Sequence, residues 1–337
     1  MLSPLPDTTG KTKVRQISPP WAGVNSGFTL LFEALILELC THMPVKAVSR
    51  IIFENDGKLW RLLHKYIETL RSQEDFSSIE KIGIDETSRA KHHDYVALFV
   101  DLEQSRTIYI TPGKSSDTVI SFVNDLENHH GSKQQITDVS CDMSPAFIKG
   151  VRENLPNAEI TFDKFHIIKI INEAVDQVRR DEAKHQDILK GCRYLFLKNN
   201  SNLTVKQKAK LENLQLPKFR LKTIRALQIR ETFQEIYQAD TIDTFEYLLK
   251  KWYFWATHSR LQPIKEAAYT IKRHWDGVVN WKKSHINNGI LEGLNSVIQA
   301  VKSRARGFRN FNYFCIMAYL ITANLDFSKI NKFMRTV

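Results

Sequence analysis

Apolar residues recur at helical spacing in three runs near the start of the chain. Phe28 to Cys40 (FTLLFEALILELC) is strongly apolar, and MPVKAVSRIIF opens around Pro44, where a missing N–H is harmless in a first turn. The third run, KLWRLLHKYIETL, sets Leu59, Leu62, Leu63, Tyr66 and Ile67 inward and Lys58, Arg61 and Lys65 outward. The Glu54-Asn55-Asp56-Gly57 cluster predicts a turn before it. Three helices with a short Gly-containing turn before the last match a helix-turn-helix, whose final helix would enter a DNA major groove. An ordinary helical hairpin packed on its neighbour fits the same pattern.

From Ile79 the period shortens to that of strands. IEKIGID (79–85), YVALFVDL (95–102) and RTIYI (106–110) read as three strands, with the polar Glu103-Gln104-Ser105 turn joining the last two. A helix follows over 115–127 with Val119, Phe122, Val123 and Leu126 inward, then a strand at 136–141, a helix at 145–154, a strand at 159–162 and a long helix at 164–184. The order β-β-β-α-β-α-β-α predicts an α/β fold, a mixed sheet with helices on its faces. Asp85 would close the first strand and Asp142 would follow the fourth. Ligands collect outside the carboxyl ends of strands in open sheets, so both acids stand where a site forms. Helix capping or a turn is the alternative role for each.

Beyond Lys184 the chain turns helical and basic. KFRLKTIRALQIR (218–230) carries five cations and no acid. Between Thr241 and Trp281 lie Trp252, Trp255, Trp275 and Trp281 among further aromatics. Interleaved with Lys and Arg they could stack bases, but the core of a helical bundle is the favoured use for most of them. Phe311 to Phe327 reads as an apolar helix that packs back on the sheet unit.

The stretch Asn287 to Asn310 (NNGILEGLNSVIQAVKSRARGFRN) presents two faces. Leu291, Leu294, Ile298, Val301 and Ala305 form a buried stripe. Glu292, Asn295, Gln299, Lys302 and Arg306 follow the same rhythm about 100° around the helix. A row that opens with a carboxylate and ends in cations suits a metal-bound phosphate at one end and a nucleic-acid backbone at the other. A solvated helix face is the alternative.

At 337 residues the chain exceeds what one hydrophobic core usually organises, which predicts two or three units. A net charge of +11 favours an anionic partner, nucleic acid or an acidic membrane surface. Cys40, Cys141, Cys192 and Cys315 lie far apart with no Cys-x-x-Cys pair, which supports neither a zinc ribbon nor a disulfide framework and predicts a reducing, cytoplasmic setting. Residues 1–20 lack the apolar segment of a signal peptide, and the apolar tract Tyr313 to Ala323 is too short to span a bilayer. A DNA- or RNA-facing protein with no membrane partner is what remains.

Four blocks, taken together, resemble the DDE transposases of bacterial insertion sequences, specifically the ISL3 type. They are GIDE at 83–86 with Asp94-Tyr95 and the strand after it, CDMSPAF at 141–147, FDKFHIIKIINEAVDQVRR at 162–180, and NGILEGLNSVIQAVKSRARGFRNFNYF at 288–314. They stand in the family's order over residues 79–327. The resemblance implies a ribonuclease H-like mixed sheet with a helical insertion, preceded by a helix-turn-helix. The expected divisions are a flexible segment over 1–24, the helix-turn-helix over 25–75, the first part of the catalytic core over 76–184, the insertion over 185–285, and the second part of the core, with the Glu helix, over 286–337. Family members typically begin with a cysteine-rich zinc-binding segment that these isolated cysteines do not supply. The chain therefore reads as shortened at its N-terminus, an expectation that bears on recognition of transposon ends and on mobility.

The resemblance further implies that Asp85, Asp142 and Glu292 are catalytic and metal-binding. Two divalent ions roughly 3.5–4 Å apart activate the attacking oxygen and stabilise the leaving one in phosphodiester cleavage. Asp85 would bridge two Mg²⁺ ions, with Mn²⁺ as a substitute, while Asp142 and Glu292 would each bind one. Water would attack for nicking and the freed 3′-hydroxyl for joining. Asp163 and His166 would form a second layer around the site or touch the scissile strand, the alternative being a helix N-cap and an exposed histidine. Asn295 would orient the Glu292 carboxylate or a phosphate. Lys302, Arg304, Arg306 and Arg309 would grip the DNA backbone, and Lys58, Arg61 and Lys65 would face DNA from the helix-turn-helix. The implied partners are double-stranded DNA, as transposon ends and target, and further copies of the chain in a homodimer or larger assembly on it, in a bacterial cytoplasm at the nucleoid. A ribonuclease H-like nuclease without strand transfer, and an idle DNA-binding remnant, are the two other readings.

Overall fold

The computed structural model describes residues 5–6, 12–13, 21–23, 26–90, 94–216, 220–284, 286 and 289–334. Most of the expected flexible segment 1–24 lies outside the described residues. Within it β1 (Leu5–Pro6) and β2 (Thr12–Lys13) pair antiparallel.

Three helices follow, α1 (Leu30–His42), α2 (Val45–Ile51) and α3 (Asp56–Arg71). Asn55 caps α3 by accepting from the Gly57 N–H, so the polar cluster that predicted a turn also starts the helix. The inward residues expected for α3 are all buried, and Leu70 joins them. Phe53, in the turn before α3, takes a left-handed φ of 57°.

The sheet unit comprises β3 (Lys81–Ala90), β4 (Asp94–Asp101), β5 (Arg106–Pro112), α4 (Asp117–Asn128), β6 (Asp138–Cys141), α5 (Pro145–Asn154), β7 (Glu159–Phe162) and α6 (Lys164–Glu182). The sheet order is β5-β4-β3-β6-β7. β3, β4 and β5 are antiparallel neighbours, while β6 and β7 run parallel to β3. That order is the predicted mixed sheet and the strand arrangement of the ribonuclease H fold.

One boundary differs in a way that matters. β3 does not close at Asp85 but continues to Ala90, because β4 supplies ladder partners along its whole length. Asp85 is therefore mid-strand. The parallel ladder with β6 stops at Gly83↔Ser140, so beyond that pair β3 is laddered on one side only.

Both faces of the sheet are covered, and β4 shows it by alternation. Ala97 and Phe99 join the core under α4, α5 and α6, whereas Val96 and Leu98 join a second core made with α1, α2, α3 and the two C-terminal helices, α13 (Gly289–Arg304) and α14 (Phe311–Thr322). The expected docking of the last apolar helix on the sheet is met there. The Tyr319 hydroxyl accepts from the Ile110 N–H at 3.0 Å.

Between α6 and α13 lie α7 (Arg193–Leu197), α8 (Val205–Leu214), α9 (Lys222–Ile236), α10 (Ile242–Thr257), α11 (Gln262–Arg273) and α12 (Trp275–Ser284). Trp252 and Phe245 are core residues here, while Tyr247 and Phe254 of the same helix are exposed. Arg230, the last of the five cations in the basic run 218–230, is buried and donates to the Phe196 and Lys198 carbonyls. The insertion shares one continuous core with the sheet, and α12 lies against β7 so closely that a Cβ on Gly277 would meet the Phe162 ring at 2.3 Å.

A buried ionic joint fastens the N-terminal helices to the sheet. Glu74 pairs with both Arg71 and Arg106, Arg71 also reaches Asp125 at 2.9 Å, and the Arg71 guanidinium lies over the Tyr319 ring at 4.8 Å.

Candidate active site

Continuing the β3–β6–β7 register by two residues sets Asp85 beside Asp142, and Asp142 beside Asp163. Three carboxylates thus reach one level across three neighbouring parallel strands, at the carboxyl end where β6 and β7 stop. They line a single cavity of about 370 Å³, together with Glu86, His166, Glu292, Asn295 and Gln299.

Each acid is held by its local backbone. Asp85 Oδ1 accepts from the Glu86 N–H at 2.7 Å, and Oδ2 accepts from the Asn295 side-chain amide. Asp142 Oδ1 accepts from the Ser144 N–H at 2.9 Å, which turns the chain into α5. Asp163 is the N-cap of α6, accepting from the Phe165 N–H at 2.8 Å, and its other oxygen lies 3.1 Å from His166 Nδ1. The turn role weighed for Asp142 and the N-cap weighed for Asp163 are realised, and the same backbone turns aim both into the cavity. His166 is half-buried and tied to Asp163 rather than exposed.

Charge is crowded here. Burial pushes the Asp85 carboxyl above its usual range, with the Asp142 charge acting the same way, against the opposing pull of the Glu86 N–H, His166 and Asn295. Glu86 is likewise raised, by burial first and then by Asp142. His166 is raised by its bond to Asp163 and by the charges of Asp163, Asp85 and Asp142, against its own burial.

Glu292 arrives on the first turn of α13, exposed but within the cavity wall. Its placement depends on Gly83. A Cβ there would stand 2.8 Å from both Leu291 methyl carbons, so only glycine lets the helix lie this close to β3. Among the described residues no three His, Cys, Asp or Glu side chains are gathered tightly enough to ligate one ion as they stand. The donor set nonetheless suits a hard divalent cation. It is all carboxylate and amide oxygen, its charges repel one another, and Asn295 Oδ1 is buried at the cavity without a partner.

The expected DNA-facing cations divide. Lys58 and Arg61 are exposed on α3, Lys58 pairing with Glu54 at 2.9 Å, and Lys65 is half-buried. Arg306 does not share the helical row, because α13 ends at Arg304 and Arg306 turns with a φ of 58° into the following loop. It remains exposed there, as does Arg309. Arg304 donates to the His42 carbonyl at 2.6 Å. Lys302 points inward, its ammonium donating to the carbonyl and hydroxyl of Ser88 and to Gln299 Oε1. Gly83 and Glu86 had no role of their own in the sequence reading, and Gln299 entered only as a member of the polar row. Gly83 carried a readable signal, a glycine inside a strand.

An open carboxylate cleft at the parallel strand ends of a β5-β4-β3-β6-β7 sheet, closed on one side by a helix from the far end of the chain, defines a ribonuclease H-like nucleic-acid enzyme. Comparison with known proteins gives the family. Residues 82–318 match the transposase model of the DDE ISL3 type, residues 17–67 match the helix-turn-helix domain of transposase family ISL3, and the chain belongs to that family of insertion-sequence transposases. The transposase for insertion sequence element IS1001 of Bordetella parapertussis is 30% identical over 303 residues, covering 87% of this chain and 73% of that protein. The transposase for insertion sequence element IS1557 of Mycobacterium tuberculosis is 27% identical over 338 residues, covering 91% and 74%. Membership makes the protein a DNA-binding, DNA-transposing enzyme of a family that generally uses divalent metal ions. No helix among the described residues is long and apolar enough to cross a membrane.

Proposed function

We propose that Asp85, Asp142 and Glu292 are the catalytic carboxylates of this transposase and that they hold two divalent ions, Mg²⁺ with Mn²⁺ as a substitute. The observation that carries the reading is their meeting in one cavity although 150 positions separate the last two in the chain. When bound, such ions supply charge stabilisation to the attacking and leaving oxygens of the scissile phosphodiester.

The chain's own groups prepare that site. The Glu86 N–H and the Asn295 amide fix both oxygens of Asp85, and the Ser144 N–H fixes one oxygen of Asp142, so neither carboxylate must be ordered when a cation arrives. Glu292, exposed on α13, completes the set from the opposite wall. His166, held toward its charged form by Asp163, can donate to a non-bridging phosphate oxygen of the DNA strand in the cleft. Lys58, Arg61 and Lys65 on α3, with Arg304 at the end of α13 and Arg306 and Arg309 beyond it, supply contacts to the duplex backbone. The same reading takes residues 25–75 as the DNA-recognising unit, 76–184 and 286–337 as the core, and 185–285 as the insertion. Pairing of two transposon ends calls for a homodimer or larger assembly on DNA.

The test is incubation with labelled transposon-end DNA, a target duplex and Mg²⁺. Cleaved and joined products are expected from the wild type, and neither from Asp85→Asn, Asp142→Asn or Glu292→Gln. Cleavage without joining would replace strand transfer by a nuclease activity. Retained cleavage in any of the three variants would remove that residue from the catalytic set.

A further inference from the structure

Past the exposed Glu292, the polar row on α13 turns onto β3. Asn295 donates to Asp85, Gln299 to the Thr87 hydroxyl, and Lys302 to the carbonyl and hydroxyl of Ser88. One residue further, Arg89 donates to the Phe308 and Arg309 carbonyls of the loop that follows α13. These contacts fall on the segment of β3 past Gly83, where the parallel ladder with β6 has ended. The Thr87 hydroxyl is buried there, and Gln299 is its partner.

Helix and strand run in the same direction with matching rises. Asp85 to Ser88 spans about 10 Å at a strand rise of about 3.3 Å per residue, and Asn295 to Lys302 spans about 10.5 Å at about 1.5 Å per residue. Extending the match backwards by one helical turn sets Leu291 opposite Gly83, which is the close contact observed. Four successive points therefore agree on one register. A slip of one helical turn would carry Glu292 about 5.4 Å from its present height against Asp85.

We propose that Gln299 and Lys302, with Thr87 and Ser88, form a register lock that sets the height of Glu292 relative to Asp85. Lys302 acts as a positioning residue through this lock and makes no phosphate contact. The proposal rests on the reading of Asp85 and Glu292 as metal-holding residues. The lock explains why a cation inside the catalytic helix is aimed at a strand edge, since the Ser88 carbonyl at the end of the seam takes the Lys302 ammonium.

The test uses the full-length protein with Gln299→Leu, Lys302→Met, Thr87→Val and the conservative Thr87→Ser. Mn²⁺ affinity is followed by electron paramagnetic resonance without DNA, and end-DNA binding is followed as a function of salt in EDTA. Loss of an outer partner of a metal ligand typically costs 10–100-fold in metal affinity or activity. Gln299→Leu, Lys302→Met and Thr87→Val are expected to weaken Mn²⁺ binding about tenfold, with Thr87→Ser close to wild type. Lys302→Met is expected to leave the salt slope of DNA binding unchanged, whereas losing a phosphate contact would reduce it by about one. A reduced slope with unchanged Mn²⁺ affinity would return Lys302 to the DNA surface and overturn the lock. Unchanged Mn²⁺ binding in all four variants, while Asp85→Asn and Glu292→Gln lose it, would overturn the lock alone. Retained Mn²⁺ binding in Asp85→Asn and Glu292→Gln would instead overturn the metal-site reading beneath it.

Discussion

Substituting Gly83 by alanine adds one carbon at the point where the catalytic helix rests on β3. The new Cβ would stand 2.8 Å from Leu291 Cδ1 and Cδ2 and 2.9 Å from Cγ, whereas carbon pairs sit comfortably at about 3.5–4.0 Å. Leu291 is buried in a small cluster with Val100, Leu102 and Ile286, so its side chain has little room to turn away. The strain is relieved by moving α13 outward by about 1 Å, at an overpacking cost of about 1–3 kcal/mol. Glu292 follows Leu291 directly and moves with it. Misplacement by about 1 Å can reduce a rate by about 100-fold, so Gly83→Ala should cleave end DNA about 100-fold more slowly, with DNA affinity unchanged. Leu291→Ala alone should cost about 2–5 kcal/mol through the cavity it leaves. Combined with Gly83→Ala it restores room, so the double variant should be less destabilised than the two losses added together. The assays are single-turnover cleavage of a labelled end and urea unfolding of all four proteins. Wild-type cleavage by Gly83→Ala, or additive losses in the double variant, would refute the reasoning.

Three further outcomes are expected. Because burial raises the Asp85 pKa in the folded protein, the stability linked to its protonated form is complete below the unfolded value of about 3.9 and is lost as pH rises through the folded value. Asp85→Asn should therefore raise the melting temperature in EDTA at pH 7 and bring no gain near pH 4, and a lower melting temperature at pH 7 would contradict this. Glu74→Ala removes the carboxylate that Arg71 and Arg106 share, leaving Asp125 to the one and Asp101 to the other, and should cost about 3 kcal/mol in urea unfolding, against under about 1 kcal/mol if the joint were an exposed pair. Phe53→Gly relieves a left-handed backbone and loses an exposed ring, so urea unfolding should show a gain of about 1 kcal/mol in stability.

Much of the sheet unit was legible because each apolar run was short and bounded by polar turns. The bounds of α5 and β7 match the predicted ones, and Asp142 and Asp163 stand just past strand ends as expected. The extension of β3 was not legible. Thr87, Ser88 and Arg89 break the apolar alternation, and the groups that satisfy them lie more than two hundred positions away on α13 and its following loop. The contact of Lys302 with Ser88 was hidden for the same reason, since a cation in a basic run reads as a phosphate grip until the strand it meets is known. Glu86 was passed over because the predicted strand closed at Asp85, whereas the structure continues the strand through Glu86 and brings it into the cavity wall.

The ionic joint around Glu74 has a consequence for the DNA. Helix α3 ends at Arg71 and β3 begins at Lys81, with Arg71 and Glu74 clamped to Asp125 and Arg106 between them. On the proposed reading of α3 as the DNA-recognising helix, a duplex seated there would be held at a set offset from Asp85, and the protein would measure length along it. One base pair inserted between the recognised sequence and the cut would carry the scissile phosphate about 3.4 Å along the axis and about a tenth of a turn around it. The spacing inside the element's ends is then a dimension of the protein, written in base pairs.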